Sequence, residues 1–314
     1  MKKLITIAML LSAASGAAAQ QGPGGTAVDW EKVNPSLFAS MKADDAAPKP
    51  DAVIRYGSDS LRSGELRVPA GPGPHPVAIV IHGGCWLSRL GGTGMQAFSE
   101  SLRRRGIATW DLDYRRVGHA GGGWPGTFED VKAGIDHLPK LAAAHRLDMS
   151  RVVIVGHSAG ANLALWAASR AKLGGDWVPG KEQPKPLAVV AIDGPPVLAP
   201  LIGADAQMCD EPVIVPLMGG TPDDRPEQYR LATPAAHLPF GMKQMLVVGT
   251  LRQVIEPYAQ AARAAGDEVL VLSPEKADHF DIVTPGLPNG DAVGDWIAAN
   301  AFGRPIAKAA SATR

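Results

Sequence analysis

The segment that most restricts this chain is residues 152–164, VVIVGHSAGANLA. A run of β-branched residues is followed by the turn Gly156-His157-Ser158-Ala159-Gly160 and then by a small-residue helix start. In that strand–turn–helix setting the G-x-S-x-G pattern lifts a serine Oγ clear of the sheet edge. Both glycines are required, because a Cβ at either place would meet the neighbouring strand or helix. Ala159 presents its backbone N–H at the first turn of a helix, where free donors and the positive dipole end favour an anionic oxygen. Ser158 is therefore a candidate nucleophile. The plainer alternative is a surface serine in a glycine-rich turn.

A second buried-strand run, residues 77–86, reads VAIVIHGGCW. Two glycines after a strand let backbone N–H groups approach a ligand closely. With both motifs in view the chain resembles the α/β-hydrolase superfamily, in the esterase/lipase branch of hormone-sensitive-lipase-like carboxylesterases and arylformamidase (kynurenine formamidase). The H-G-G-x-W form is the one associated with formamidase-like members. The resemblance covers about residues 50–300. It implies an α/β-hydrolase fold: a mostly parallel eight-stranded sheet, helices on both faces, and a small cap after the sixth strand. It also implies an oxyanion hole from the N–H groups of Gly84, Cys85 and Ala159, with Trp86 and His157 beside the substrate pocket. Cys85 stands where the lipase form has a third glycine, so its N–H survives while its side chain needs space.

The family order is serine, acid, histidine, with the histidine after the eighth strand. In EVLVLSPEKADHFDIV this points to His279, and no other histidine follows His237 in the chain. Its D-H-F-D setting is similar to the G-H-F form of related hydrolases. The acid departs from the pattern. Family members carry an aspartate in a G-T-x-D-like loop after the seventh strand. Here that loop runs Gly249-Thr250-Leu251-Arg252-Gln253-Val254-Ile255-Glu256-Pro257, without one. Asp193, at the end of the sixth strand, is the first choice and Glu256 the alternative. Asp278 and Asp281 flank His279 in sequence, and neighbours of that kind seldom reach the imidazole N–H.

Residues 1–19 combine Met1-Lys2-Lys3, a short apolar run and Ala17-Ala18-Ala19, the form of a secretory signal peptide. The apolar run is shorter than the ~20 residues that span a bilayer. The expected protein is periplasmic or secreted. Residues 20–50 read as a flexible lead-in with a short helix near Trp30–Met41, 51–303 as the hydrolase domain with a cap insertion at about 194–242, and 304–314 as a disordered tail. Thr127, three residues ahead of Asp130, reads as the cap of a long helix over 127–146.

The 31 basic and 31 acidic residues balance, which argues against nucleic acid or an anionic membrane surface as the main partner. Two cysteines, Cys85 and Cys209, are too few for a disulfide framework. A bond between them would constrain the loop at 82–86, so two free thiols are expected. No metal-ligand spacing and no dinucleotide fingerprint occurs, so no cofactor is implied. His82, Asp111, Asp113 and Tyr114 read as braces for loops, and His119 as part of a flexible glycine-rich loop. The expected activity is cleavage of small carboxylic esters through an acyl-serine. The alternatives are an arylformamidase-like amide hydrolase and a catalytically impaired binding protein on a hydrolase fold.

Overall fold

Aliphatic and β-branched runs bounded by Gly and Pro form the eight strands of a single sheet. The computed structural model describes residues 29–91 and 94–303; the expected leader at 1–19 and tail at 304–314 lie outside them. The strands are β1 Ala52–Arg55, β2 Ser63–Arg67, β3 His75–Ile81, β4 Ala108–Leu112, β5 Leu147–His157, β6 Ala188–Ile192, β7 Lys243–Val247 and β8 Val269–Leu272. They lie in the order β1-β2-β4-β3-β5-β6-β7-β8. β1 and β4 both pair antiparallel with β2, and the remaining pairs, among β3 through β8, are parallel, as the continuous buried apolar runs of β3, β5 and β6 favour.

Among the described residues ten α-helices accompany the sheet: α1 Trp30–Val33, α2 Pro35–Asp45, α3 Gln96–Arg104, α4 Gly126–His145, α5 Ala159–Ser169, α6 Asp205–Cys209, α7 Ile214–Met218, α8 Pro226–Ala232, α9 Arg252–Ala265 and α10 Pro288–Phe302. Alternation along the strands divides the core in two. Ile79, Ile81, Ile154 and Val189 face α4, α5 and α9, through Phe128, Leu163 and Tyr258. Val80, Val153, Val155 and Val190 face α3 and α10, through Phe98, Leu102, Val293 and Ile297. Helices thus cover both faces, as the α/β-hydrolase fold requires.

Two local expectations change. The single helix expected near 30–41 is a pair, and α2 docks beside α3, where Asp44 Oδ1 accepts the N–H of Ala97 at 2.8 Å. Thr127 does not cap α4. It lies one residue inside the helix, fully buried, where its hydroxyl donates to the Arg115 carbonyl and accepts from Gly123 N–H. Asp130 is held instead by Arg115 and Arg62. Among the described residues no helix is long and apolar enough to cross a membrane.

Between β6 and β7 the chain leaves the sheet and forms α6, α7 and α8, which contribute Cys209, Ile214, Leu217, Met218 and Tyr229 to the larger core. The parallel strands all point their C-terminal ends the same way. The turns after β3, β5, β6, β7 and β8 therefore meet at one edge, the place where open α/β sheets bind ligands.

Candidate active site

Ser158 joins β5 to α5 with φ 56° and ψ −123°, a conformation rare for a residue with a side chain. Strain of this kind costs about 1–3 kcal/mol and persists only where the surroundings enforce it. The enforcement is steric. A Cβ on Gly160 would lie 2.1 Å from the Ile81 carbonyl oxygen, and one on Gly156 would lie 2.0 Å from that of Gly160. The Ser158 N–H donates to the Ile192 carbonyl at 2.9 Å, which stitches the turn to the end of β6. Ala159, the first residue of α5, has an N–H with no acceptor within the helix.

The loop after β3 packs directly on this turn. A Cβ on Gly83 would stand 2.9 Å from that of Ser158. Gly84, Cys85 and Trp86 follow with φ of 97°, 51° and 55°, three successive residues in left-handed backbone. His82 braces the loop: its Nδ1–H donates to the Gly83 carbonyl at 2.7 Å, and its Nε2 accepts from Arg116 at 3.0 Å. The His82 ring stacks on Tyr114, whose hydroxyl donates to the His82 carbonyl at 2.8 Å. Asp113 pairs with Arg116 at 2.6 Å, and Asp111 with Arg67 at 3.2 Å. Trp86, expected as a pocket wall, is 4% exposed and belongs to the main core with Leu87 and Leu90.

The two thiols expected to be free are joined: Cys85 and Cys209 form a disulfide across 124 residues. The expectation treated the constraint that a bond places on the loop at 82–86 as a reason against it. In the structure α6 ends over the loop, with the Cα of Cys209 6.0 Å from that of Cys85, a normal span for a disulfide. No displacement of Cys85 is needed.

The structure sets Asp193, not Glu256, against His279. Nδ1–H of His279 donates to Asp193 Oδ2 at 2.7 Å. Asp193 is fully buried, with φ 41°, and four further donors converge on its carboxylate. Oδ1 accepts from the N–H of Gly249 and Leu251, and Oδ2 from the N–H and hydroxyl of Thr250, all at 2.8–2.9 Å. Burial alone would raise the carboxyl pKa. The His279 hydrogen bond and charge, with the N–H groups of Leu251 and Thr250, outweigh it and hold the group well below the usual carboxylate range. The loop that lacks the family aspartate thus serves as a cradle for one on the neighbouring strand. Glu256 lies inside α9, exposed, and pairs with Arg252 one turn earlier.

His157, expected beside the substrate pocket, packs against His279. It is 5% exposed, its ring lies 4.6 Å from that of His279, and its Nε2–H donates to the His279 carbonyl at 2.8 Å. Burial, and after it the neighbouring His279, pushes its pKa down to about 3, so the ring is neutral at neutral pH. Asp278 and Asp281 shape the His279 loop, accepting N–H groups from Phe280, Asp281 and Asp278. His237 stands apart, donating to the Arg230 carbonyl. His119 Nδ1 accepts the Arg116 N–H within its own loop. Sequence reasoning missed Thr250 and the link from His157 to the His279 loop. The Gly249-Thr250 pair, left over from the family loop, was the available signal for the first.

Among the described residues no group of three or more His, Cys, Asp or Glu side chains could hold a metal ion. A family model described as BD-FAE matches residues 66–264. The chain is 28% identical over 170 residues to the non-reducing polyketide synthase ascC of Acremonium egyptiacum, a match over 52% of this chain and 7% of that one. A bifunctional GH43-CE protein of Bacteroides eggerthii is 23% identical with a TM-score of 0.63, covering 81% of this chain and 38% of its own. The chain therefore spans well under two thirds of either relative. Esterase B of Lactobacillus rhamnosis is 16% identical with a TM-score of 0.69, covering 86% and 93%. These structural likenesses show the α/β-hydrolase fold, and the family match extends from β2 into α9, across the serine turn, the loop after β3 and Asp193. The chain belongs to the BD-FAE family and has the α/β-hydrolase fold.

Proposed function

We propose that this protein is an exported serine hydrolase that cleaves small carboxylic esters through an acyl-serine. The observation that carries the reading is the 2.7 Å contact between His279 Nδ1 and a buried, five-donor Asp193, at the same sheet edge as the strained Ser158. Asp193 fixes the imidazole tautomer that leaves Nε2 unprotonated. Nε2 then takes the Ser158 proton as Oγ attacks the ester carbonyl, and later returns it to the leaving alcohol. The N–H groups of Ala159, Gly84 and Cys85 hold the oxyanion; loss of one such donor typically costs about 3 kcal/mol. Water then releases the acyl group by the same route in reverse.

The missing family aspartate and shortened loop after β7, together with Cys85 in the loop after β3, were the motive for a non-catalytic binding protein. Asp193 answers the missing acid, and a scaffold has little reason to keep a strained serine turn. Ser158→Ala is expected to abolish p-nitrophenyl acetate hydrolysis and labelling by a fluorophosphonate probe; retention of most activity overturns the assignment. The H-G-G-x-W loop keeps one rival substrate in play. A panel of esters of graded acyl length, an acetylated sugar and one aryl formamide separates the two. The short esters are expected to lead, and preference for the formamide would replace the ester reading with an amide hydrolase. Export rests on residues 1–19, and absence of the protein from both the periplasmic fraction and the culture medium would refute it.

A further inference from the structure

We propose that the Cys85–Cys209 disulfide and the Arg89 fork beside it are the positioning device of the oxyanion loop, holding the N–H groups of Gly84 and Cys85 in place by anchoring them to the cap. The proposal rests on the serine-hydrolase reading above.

The loop does not favour its own shape. Gly84, Cys85 and Trp86 are all left-handed, and only the first lacks a Cβ. Such backbone persists where neighbours over-determine it. The far side of the loop is fixed by a short bridge to the segment after β4: Val117 N–H donates to the Trp86 carbonyl and Ser88 N–H to the Val117 carbonyl, both at 2.8 Å. Cys85 itself is held from above, by sulfur. This accounts for a cysteine where the lipase form of the loop has its third glycine.

A tether is only as firm as its far end, and the far end is built to be rigid. Cys209 closes α6, whose first residue, the buried Asp205, accepts the N–H groups of Gly203, Ala206, Val213 and Ile214, each at 2.9 Å. That carboxylate joins α6 to the start of α7. Arg89 then grips the same stretch without sulfur: Nε donates to Glu211 at 2.6 Å and a terminal nitrogen to the Cys209 carbonyl at 2.9 Å. Two separate links thus join residues 85–89 to residues 209–211. The oxyanion donors and the cap move as one body. In a reducing compartment the loop would loosen while Ser158, His279 and Asp193 kept their contacts.

The test is the double variant Cys85→Ser with Cys209→Ser, which keeps both backbone N–H groups, assayed well below its melting temperature. Turnover of p-nitrophenyl acetate is expected to fall about tenfold with KM within about threefold, and inhibition by phenylboronic acid, which forms a tetrahedral serine adduct, to weaken about tenfold. Amide exchange at residues 84–90 should quicken about tenfold while that of β3 and β5 holds. A folded variant with wild-type turnover, boronate affinity and exchange overturns the proposal. If the double variant does not fold, Arg89→Gln with the disulfide intact carries the test: about threefold loss of turnover supports it and wild-type turnover overturns it. Failure of the wild-type protein to hydrolyse ester or bind boronate refutes the serine-hydrolase reading instead, and the exchange measurement still decides whether the tether holds the loop.

Discussion

Ser158 and Asp193 occupy matching places at the ends of the neighbouring strands β5 and β6. Each N–H donates to the last residue of the next strand, Ile192 and Val247, at 2.9 Å, and each has a left-handed φ, 56° and 41°. They are held in different ways. Around Ser158 the restraint is exclusion: glycines two residues to either side leave no room for any other path. Around Asp193 the restraint is attraction, with five donors from residues 56–86 positions away converging on one carboxylate. A turn held by sterics tolerates a change of charge and fails on added volume. The Asp193 turn adds a sensitivity to charge, beside the tight fit at Gly194 and Gly249.

Substitutions at the two turns probe this contrast most directly. Asp193→Asn keeps the volume and presents an amide NH2 to a cradle of donors. Turnover is expected to fall about 10⁴-fold, the loss typical when the base loses its tautomer-setting partner, and a drop under about tenfold in stopped-flow or steady-state assays would refute the assignment. Gly160→Ala leaves every charge in place and drives a methyl into the Ile81 and His82 carbonyls. It is expected to cost more than about 4 kcal/mol in urea unfolding; a well-folded variant would show that the serine turn is not sterically held.

Smaller changes test the links between the turns. His157, neutral and buried, has a folded pKa of about 3 against an ordinary value of 6.5. The unfolded chain therefore binds more protons throughout that window, so this residue makes stability fall as pH drops from 6.5 towards 3. Between pH 7 and 5 its share is about 2 kcal/mol. His157→Gln should flatten that part of the pH profile in denaturant titrations, and an unchanged slope would assign the acid sensitivity elsewhere. Thr250→Val removes one of the five donors to Asp193 and should cost about 1 kcal/mol with turnover lowered severalfold. Glu256→Gln, outside the cradle, should leave turnover unchanged and stability within about 0.5 kcal/mol; a large loss there would return Glu256 to contention as the acid.

The elements that could be read from the chain alone share a physical character. Strand runs such as VAIVI and VVIVG, the G-x-S-x-G turn and the H-G-G loop are each specified by residues within a few positions of one another, through side-chain periodicity and the space a Cβ needs. The mostly parallel eight-stranded sheet followed from those runs, while the order of its strands came only with the structure. His279 was legible for a related reason, as it follows the last strand at a loop of ordinary length. Contacts that close large loops were not. Asp193 could be weighed against Glu256, but the N–H groups of residues 249–251 carry no side-chain signature, so nothing in the string of letters shows that they aim at one carboxylate. Cys85 and Cys209 lie 124 residues apart, and only the path of the segment between β6 and β7 through α6 brings their sulfurs together. Thr127 went wrong in the same manner, since its hydroxyl was drawn to Arg115 and Gly123 rather than to its own helix. Local sterics act through neighbours along the chain and leave a pattern there, whereas hydrogen bonds and disulfides depend on distances in space that exist only once the sheet has folded.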